Sequence, residues 1–255
     1  NTFSTAGNWN VGTNWSWGSV PTTEPSVNIG AACTIPNGTI ANVNNIIIAD
    51  GGSLVIEDGG QLITSNAVAA TVKKEIVGFG SDNTVQTGWY TIASPVTTSI
   101  TPSSDMLQET YDLYYYDEAN NKWYNYRPNN EHSGFNIEPN KGYLYANSGN
   151  TTLSFSGTMR ASNASVSMPL SYASSDENLK GLNLVGNPYT CELNSETNIM
   201  LGTVNFSAYY IADGTVNAQG KNLIACEISE RNIKPCEGFI VQATAADQNL
   251  VFNGR

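Results

Sequence analysis

The chain contains one histidine, His132, in the polar run Asn129-Asn130-Glu131-His132-Ser133-Gly134, and that narrows the chemistry open to it. A serine or cysteine nucleophile needs a base within hydrogen-bonding reach, and no Gly-x-Ser-x-Gly turn is present to expose a serine. His132 therefore reads as a solvated loop residue. Zinc is no better served, because Cys33, Cys191, Cys226 and Cys236 form no Cys-x-x-Cys pair. Asp50-Gly51-Gly52 runs into strand-forming residues and not into a helix, so it is not a phosphate cradle. Paired carboxylates for glycoside hydrolysis leave no sequence signature, and a β-helical glycoside hydrolase or lyase stands as one alternative. No catalytic residue and no cofactor is assigned.

The second concentration of chemistry is aromatic. Tyr111-Asp112-Leu113-Tyr114-Tyr115-Tyr116-Asp117 and Lys122-Trp123-Tyr124-Asn125-Tyr126 read as a hairpin around Glu118-Ala119-Asn120-Asn121. Strand alternation puts Tyr111, Leu113 and Tyr115 on one face and Asp112, Tyr114 and Tyr116 on the other. With the first face in a core, the other shows rings beside acids and amides, a mixture suited to carbohydrate or protein contacts. The candidate ligand-binding residues are Tyr114, Tyr116, Trp123, Tyr124 and Tyr126 for stacking area, with Asp112, Asn125 and Arg127 for hydrogen bonds. The competing reading is that the tyrosines serve only as cross-strand pairs.

These strands belong to a motif that occurs twice. Gly88-Trp89-Tyr90-Thr91-Ile92-Ala93-Ser94-Pro95 corresponds to Gly181-Leu182-Asn183-Leu184-Val185-Gly186-Asn187-Pro188, and Pro139-Asn140-Lys141-Gly142-Tyr143 to Pro235-Cys236-Glu237-Gly238-Phe239. Leu153-Ser154-Phe155-Ser156-Gly157 likewise matches Leu250-Val251-Phe252-Asn253-Gly254. The second copy has a thinner hairpin, Phe206 to Gly214, without a counterpart of Trp123. Between the copies, Val166, Met168, Leu170 and Tyr172 alternate as in a strand.

Ahead of the repeats lie short apolar strands separated by turns, then two octapeptides, Ala49-Asp50-Gly51-Gly52-Ser53-Leu54-Val55-Ile56 and Glu57-Asp58-Gly59-Gly60-Gln61-Leu62-Ile63-Thr64. Asp-Gly-Gly supplies a turn and the following residues a strand, so successive strands are expected to stack into one core. Asp50 and Asp58 raise the question of structural calcium, yet each turn offers one or two oxygens where calcium takes about six to eight. Plain turn chemistry is the reading kept. Val68 to Val77 is one or two further strands, or a short helix. At the front, Trp9, Trp15 and Trp17 either form a sugar-stacking platform or plug the open end of the stack, and the plug is preferred.

The expected fold is therefore all-β: a short N-terminal β-solenoid or β-roll with a Trp-rich cap (1–78), followed by two similar β-sandwich units of jelly-roll type (79–160 and 161–255). Composition agrees. Charged residues are only 13% of the 255, while Asn, Gly, Ser and Thr abound and suit strands joined by tight turns. Eleven Lys and Arg against 22 Asp and Glu give a net charge of −11, which argues against nucleic acid or an anionic membrane surface as partner. No apolar run approaches the roughly 20 residues of a membrane span. The chain starts at Asn1 and reads as mature or trimmed. Cys226 and Cys236 either form a local disulfide or are buried thiols, and pairing of Cys191 with either is also open.

The opening Trp15-Ser16-Trp17-Gly18-Ser19-Val20-Pro21, the Gly88-Trp89-x-x-Ile92-x-Ser94-Pro95 strand, the Tyr-rich hairpin and Lys141-Gly142-Tyr143-Leu144-Tyr145 together resemble modules of secreted and cell-surface adhesin-like proteins of the Bacteroidota. Such modules often lie upstream of a type IX sorting domain, and the final residues here do not read as one. The resemblance implies an extracellular or outer-cell-surface location. With the composition it yields the expectation of a non-catalytic adhesion or ligand-binding protein whose partner is a glycan or a host or cell-surface protein. The alternative class is an accessory structural region of a larger exported hydrolase.

Overall fold

The computed structural model describes residues 1–22, 24–80, 88–108, 110–194, 196–200, 208–215, 224–227 and 231–255. Among them the regular structure is all-β, and the one helical turn is a 3-10 turn at Gly12–Asn14. The second-repeat residues Phe206 and Ser207 lie outside the described residues.

The N-terminal strands form three parallel ladders visited in turn. One joins β1 (Thr2–Phe3), β3 (Ser26–Ile29) and β6 (Asn45–Ile48). A second joins β2 (Gly7–Asn8), β4 (Ala32–Ile35), β7 (Ser53–Ile56) and β9 (Val68–Ile76). The third joins β5 (Ile40–Asn42) and β8 (Gln61–Ile63). Alternate side chains turn inward, so Val27, Ile29, Cys33, Ile35, Ile46, Leu54, Ile56 and Leu62 are buried together. Trp9 and Trp15 close this core, with ring centroids 4.7 Å apart and the Trp15 indole N–H donating to the Trp9 carbonyl at 2.8 Å, whereas Trp17 is exposed.

The octapeptides do not stack on each other as expected. Their strands β7 and β8 belong to different ladders: Ala32 pairs with Ser53 and Ile40 with Gln61, so the stacking interval is 21 residues. The Asp-Gly-Gly turn makes a corner of a winding and not a reversal. Gly51 and Gly59 take φ of +80° there, and a Cβ on Gly52 or Gly60 would lie 1.9 Å from the Ile29 carbonyl or 2.6 Å from that of Ile35, on the neighbouring winding.

Val68 to Ile76 is one strand with two roles. β9 pairs in parallel with β7 and, over all nine residues, antiparallel with β14 (Thr151–Met159), so this sheet crosses from the N-terminal ladders into the first repeat. Phe3, Ile35, Leu153, Phe155 and Met159 accordingly share one core.

The repeats have matching sheets. In the first, the order is β10 (Tyr90–Ala93), β13 (Gly142–Asn147), β11 (Tyr111–Asp117), β12 (Lys122–Asn125). In the second it is β16 (Leu182–Gly186), β22 (Gly238–Gln242), β19 (Ala208–Ile211), β20 (Ile224–Glu227). Around the second sheet, β23 (Asn249–Phe252) pairs with β15 (Val166–Pro169) and β18 (Ile199–Met200), while β17 (Leu193–Asn194) pairs with β21 (Asn232–Ile233). Val185, Tyr189, Phe239 and Phe252 centre a second core.

All four cysteines are buried thiols. The local bridge considered for Cys226 and Cys236 does not form, because Cys226 packs in the second core and Cys236 in the first. Burial pushes the Cys33 thiol up to about 12 and raises those of Cys191 and Cys236.

The repeats meet through equivalent residues. The Ala93 N–H donates to the Cys236 carbonyl at 3.0 Å, and its counterpart Gly186 donates to the carbonyl of Asn140, the counterpart of Cys236, at 2.8 Å. The bridges Ile92–Glu237 and Lys141–Val185 form a second reciprocal pair. Asn140 and Cys236 both turn the chain with positive φ, 64° and 59°. At the centre no side chain fits: a Cβ on Gly142 would lie 2.6 Å from the Val185 carbonyl, and one on Gly238 would lie 2.8 Å from that of Ile92 and 3.3 Å from the Gly142 Cα. A Gly142→Ala substitution is therefore expected to cost about 1–3 kcal/mol by overpacking, read as a lower melting temperature, whereas Gly30→Ala, whose Cβ would come no closer than 3.4 Å to any neighbour, costs less than half as much. Equal losses at the two positions would overturn this.

Candidate binding cleft between the two repeats

The aromatic hairpin forms as expected, with β11 and β12 joined by Glu118 to Asn121 and Asn121 at φ 49°. Leu113 is fully buried, and Tyr111 and Tyr115 lean on the first core. On the opposite face Tyr116 and Trp123 are cross-strand partners with centroids 5.0 Å apart, Tyr114 lies 6.0 Å from Trp89, and Asn125 donates to Asp112 at 3.3 Å.

Not every candidate residue reaches this face. Tyr124 sits opposite Tyr115, stacks on it at 5.0 Å and is only 6% exposed. Tyr126 packs edge-on against Phe135 at 5.2 Å and lies beside Tyr111. The alternation that places Tyr115 inward puts its partner strand's Tyr124 and Tyr126 inward too, so both leave the stacking surface. Arg127 is committed to the hairpin: its Nε donates to the Tyr111 carbonyl at 2.7 Å, and its guanidinium lies 5.4 Å from the Tyr111 ring and 3.5 Å from Asp112.

Of the remaining candidates, Tyr116 and Trp123 face the second repeat, while Tyr114, Asp112 and Asn125 do not line the cleft. Tyr116, Asn121 and Trp123 share a 440 Å³ cavity with Leu179, Leu182, Leu184 and Ile240. It adjoins a 420 Å³ cavity that runs between residues 115–118 and 182–184 past Lys141 and Met168. The apolar floor was missed in the sequence because it comes from the other repeat. Its trace there is the pair Leu182 and Leu184, which alternate away from the buried Val185.

One carboxylate holds the cleft's shape. Glu118 leaves the hairpin turn and is only 4% exposed. Its oxygens accept from Ser171 Oγ at 2.6 Å and from the amides of Ala173 at 2.8 Å, Ser174 at 3.0 Å and Gly181 at 2.7 Å. Burial alone would raise its pKa, but these hydrogen bonds outweigh that and bring it down to about 2. Nearby, Tyr116 Oη donates to Asn121 at 2.9 Å and Asn121 to Asp176 at 3.2 Å, fixing the rim.

The remaining candidates are occupied elsewhere. Asp58 accepts from Lys74 at 2.8 Å and from the Glu75 amide at 3.0 Å, and among the described residues no three His, Cys, Asp or Glu side chains gather to hold a metal. His132 is exposed, with its ring 4.5 Å from that of Tyr124. Burial raises the pKa of Glu237, and Arg231 opposes this from 2.5 Å.

No protein-family model, curated protein or solved structure matches this chain.

Because the folded pKa of Glu118 lies below its ordinary 4.5, its contribution to stability is complete above pH about 4.5 and disappears as pH falls towards about 2. Glu118→Gln is expected to cost about 2–3 kcal/mol at pH 7. The gap between wild type and variant in chemical denaturation should narrow below pH about 4.5 and close as pH falls to about 2. A gap independent of pH would show that the carboxylate's charge is not what is held.

Proposed function

We propose that this protein is a non-catalytic ligand-binding module of an extracellular or outer cell surface, acting in adhesion, and that the cleft between the repeats is its binding site. The observation that carries this is the cleft's composition: Trp123, 39% exposed, and Tyr116 overhang a floor of Leu182, Leu184 and Ile240. An apolar floor, aromatic rim and few polar groups are what a ligand site needs, and Tyr and Trp offer large contact area at low entropic cost. The acidic composition favours a neutral or cationic partner, a glycan or a protein.

The finer architecture belongs to the same reading. The parallel ladders, two of whose pairings share a 21-residue interval, support a short β-solenoid, and the matching sheet orders support two related sandwich-like units. The solenoid then serves as the stand that presents the cleft. The test is binding of the purified chain to a glycan array and to immobilised cell-surface protein, beside Trp123→Ala. Binding at least about tenfold weaker in the variant, as for a central aromatic contact, is the expected result, and undiminished binding would place the site elsewhere.

A further inference from the structure

β9 carries a charge where its pattern calls for an apolar residue. Val68, Ala70, Val72 and Ile76 are buried on its inner face, and the same alternation turns Lys74 inward between the last two. Across the antiparallel ladder Lys74 sits opposite Leu153, which is fully buried. Lys73 has the outward place that a lysine ordinarily takes.

Register sets the partner of Lys74. Ile56 of β7 pairs in parallel with Val72, and the next two positions bring Glu57 to Lys73 and Asp58 to Lys74. These adjacent pairs differ in their surroundings. Lys73 and Glu57 are 3.1 Å apart, and each side chain is 33% exposed. Lys74 Nζ lies 2.8 Å from Asp58 Oδ2 with exposures of only 16% and 20%, and the Glu75 amide holds the same oxygen at 3.0 Å. The second repeat closes over this inner pair. Cys236, fully buried, lies near enough to feel both charges, and Asp213, Arg231, Lys234 and Glu237 border a 160 Å³ cavity with Lys74.

An amine and a carboxyl group fixed in contact and screened from bulk water are the reactants of an amide. Taking both charges out of water is costly, and return of one proton from the ammonium to the carboxylate leaves a neutral amine against a neutral acid. The Nζ lone pair attacks Cγ, an amine proton passes to the departing hydroxyl, the Cγ–O bond breaks, and one water leaves into the neighbouring cavity, which has room for it. No oxidant or further reactant is required. Fixed approach stands in for collision, an advantage that reaches effective molarities of about 10⁵–10⁸ M in well-oriented intramolecular reactions.

We propose that Lys74 and Asp58 condense in this way, giving the protein an intramolecular amide bridge between the second Asp-Gly-Gly turn and β9. The proposal goes beyond the cleft reading and does not depend on it. Such a bridge fastens the turn to the strand that carries the N-terminal stack into the first repeat, so the two cannot separate there.

The test is the mass of the intact chain under denaturing conditions. The expected wild-type value is one water below that of the sequence, with a branched proteolytic peptide joining Asp58 to Lys74. Asp-Gly sequences, present at 50–51, 58–59 and 213–214, can also lose water by closing to a succinimide. Lys74→Arg separates the two, because it keeps the ion pair and removes the nucleophile: it should show its full sequence mass, whereas Lys73→Arg should keep the loss. Asp58→Asn should close the same bridge by releasing ammonia in place of water, and so arrive at the wild-type mass. Full sequence mass in the wild type, a water loss that survives in Lys74→Arg, or a water loss without the branched peptide would each overturn the proposal.

Discussion

The contact on which the remaining architecture depends is the approach of Gly142 to Gly238, where two backbones pass with no room for a Cβ. Around this point the repeats exchange equivalent bonds, Ala93 to Cys236 and Gly186 to Asn140, in the self-complementary manner of a twofold dimer. Here a single chain supplies both partners. The left-handed turns at Asn140 and Cys236 are part of the same arrangement, since they bring the carbonyls to the right edge. Once the glycines are in contact, each hairpin must lie against the opposite repeat, and a cleft beneath the first hairpin follows.

The symmetry is approximate, and its defect is the interesting part. Gly214 permits backbone pairing on one side, while its counterpart Glu118 interposes a carboxylate on the other. A buried carboxylate would be a liability in isolation. Four donors from residues 171–181 remove that liability and leave the hairpin fixed at a distance. One side of the interface is thereby closed, the other held open by a rigid strut.

Much of this was legible in the sequence, and the limits have physical causes. The duplication, the hairpin turn and the inward set Tyr111, Leu113 and Tyr115 follow from anchors and from period-two alternation, both local properties. Tyr124 and Tyr126 obey the same alternation, but their facing depends on the register with β11, which pairs Tyr115 with Tyr124. The octapeptides were misread as stacked neighbours because a strand-and-turn period does not distinguish a corner from a reversal; the 21-residue pairing is non-local. Leu182, Leu184 and Ile240 join Trp123 only through the repeat interface. Glu118 carries no local signature, since a glutamate in a turn ordinarily faces water.

The strand β9, common to the parallel ladders and the first repeat, gives the molecule a mechanical polarity. Val68 pairs with Met159, so a pull between the segment before β9 and the segment after β14 acts on one end of the ladder and peels it a pair at a time. That vulnerable end is where Ser162 is fastened: its amide donates to Thr64 at 2.7 Å and its hydroxyl to Leu62 at 3.2 Å, while the Leu62 amide donates to Thr190 at 2.9 Å. Tension between the N-terminal stack and the second repeat meets this staple before it reaches the zipper behind it.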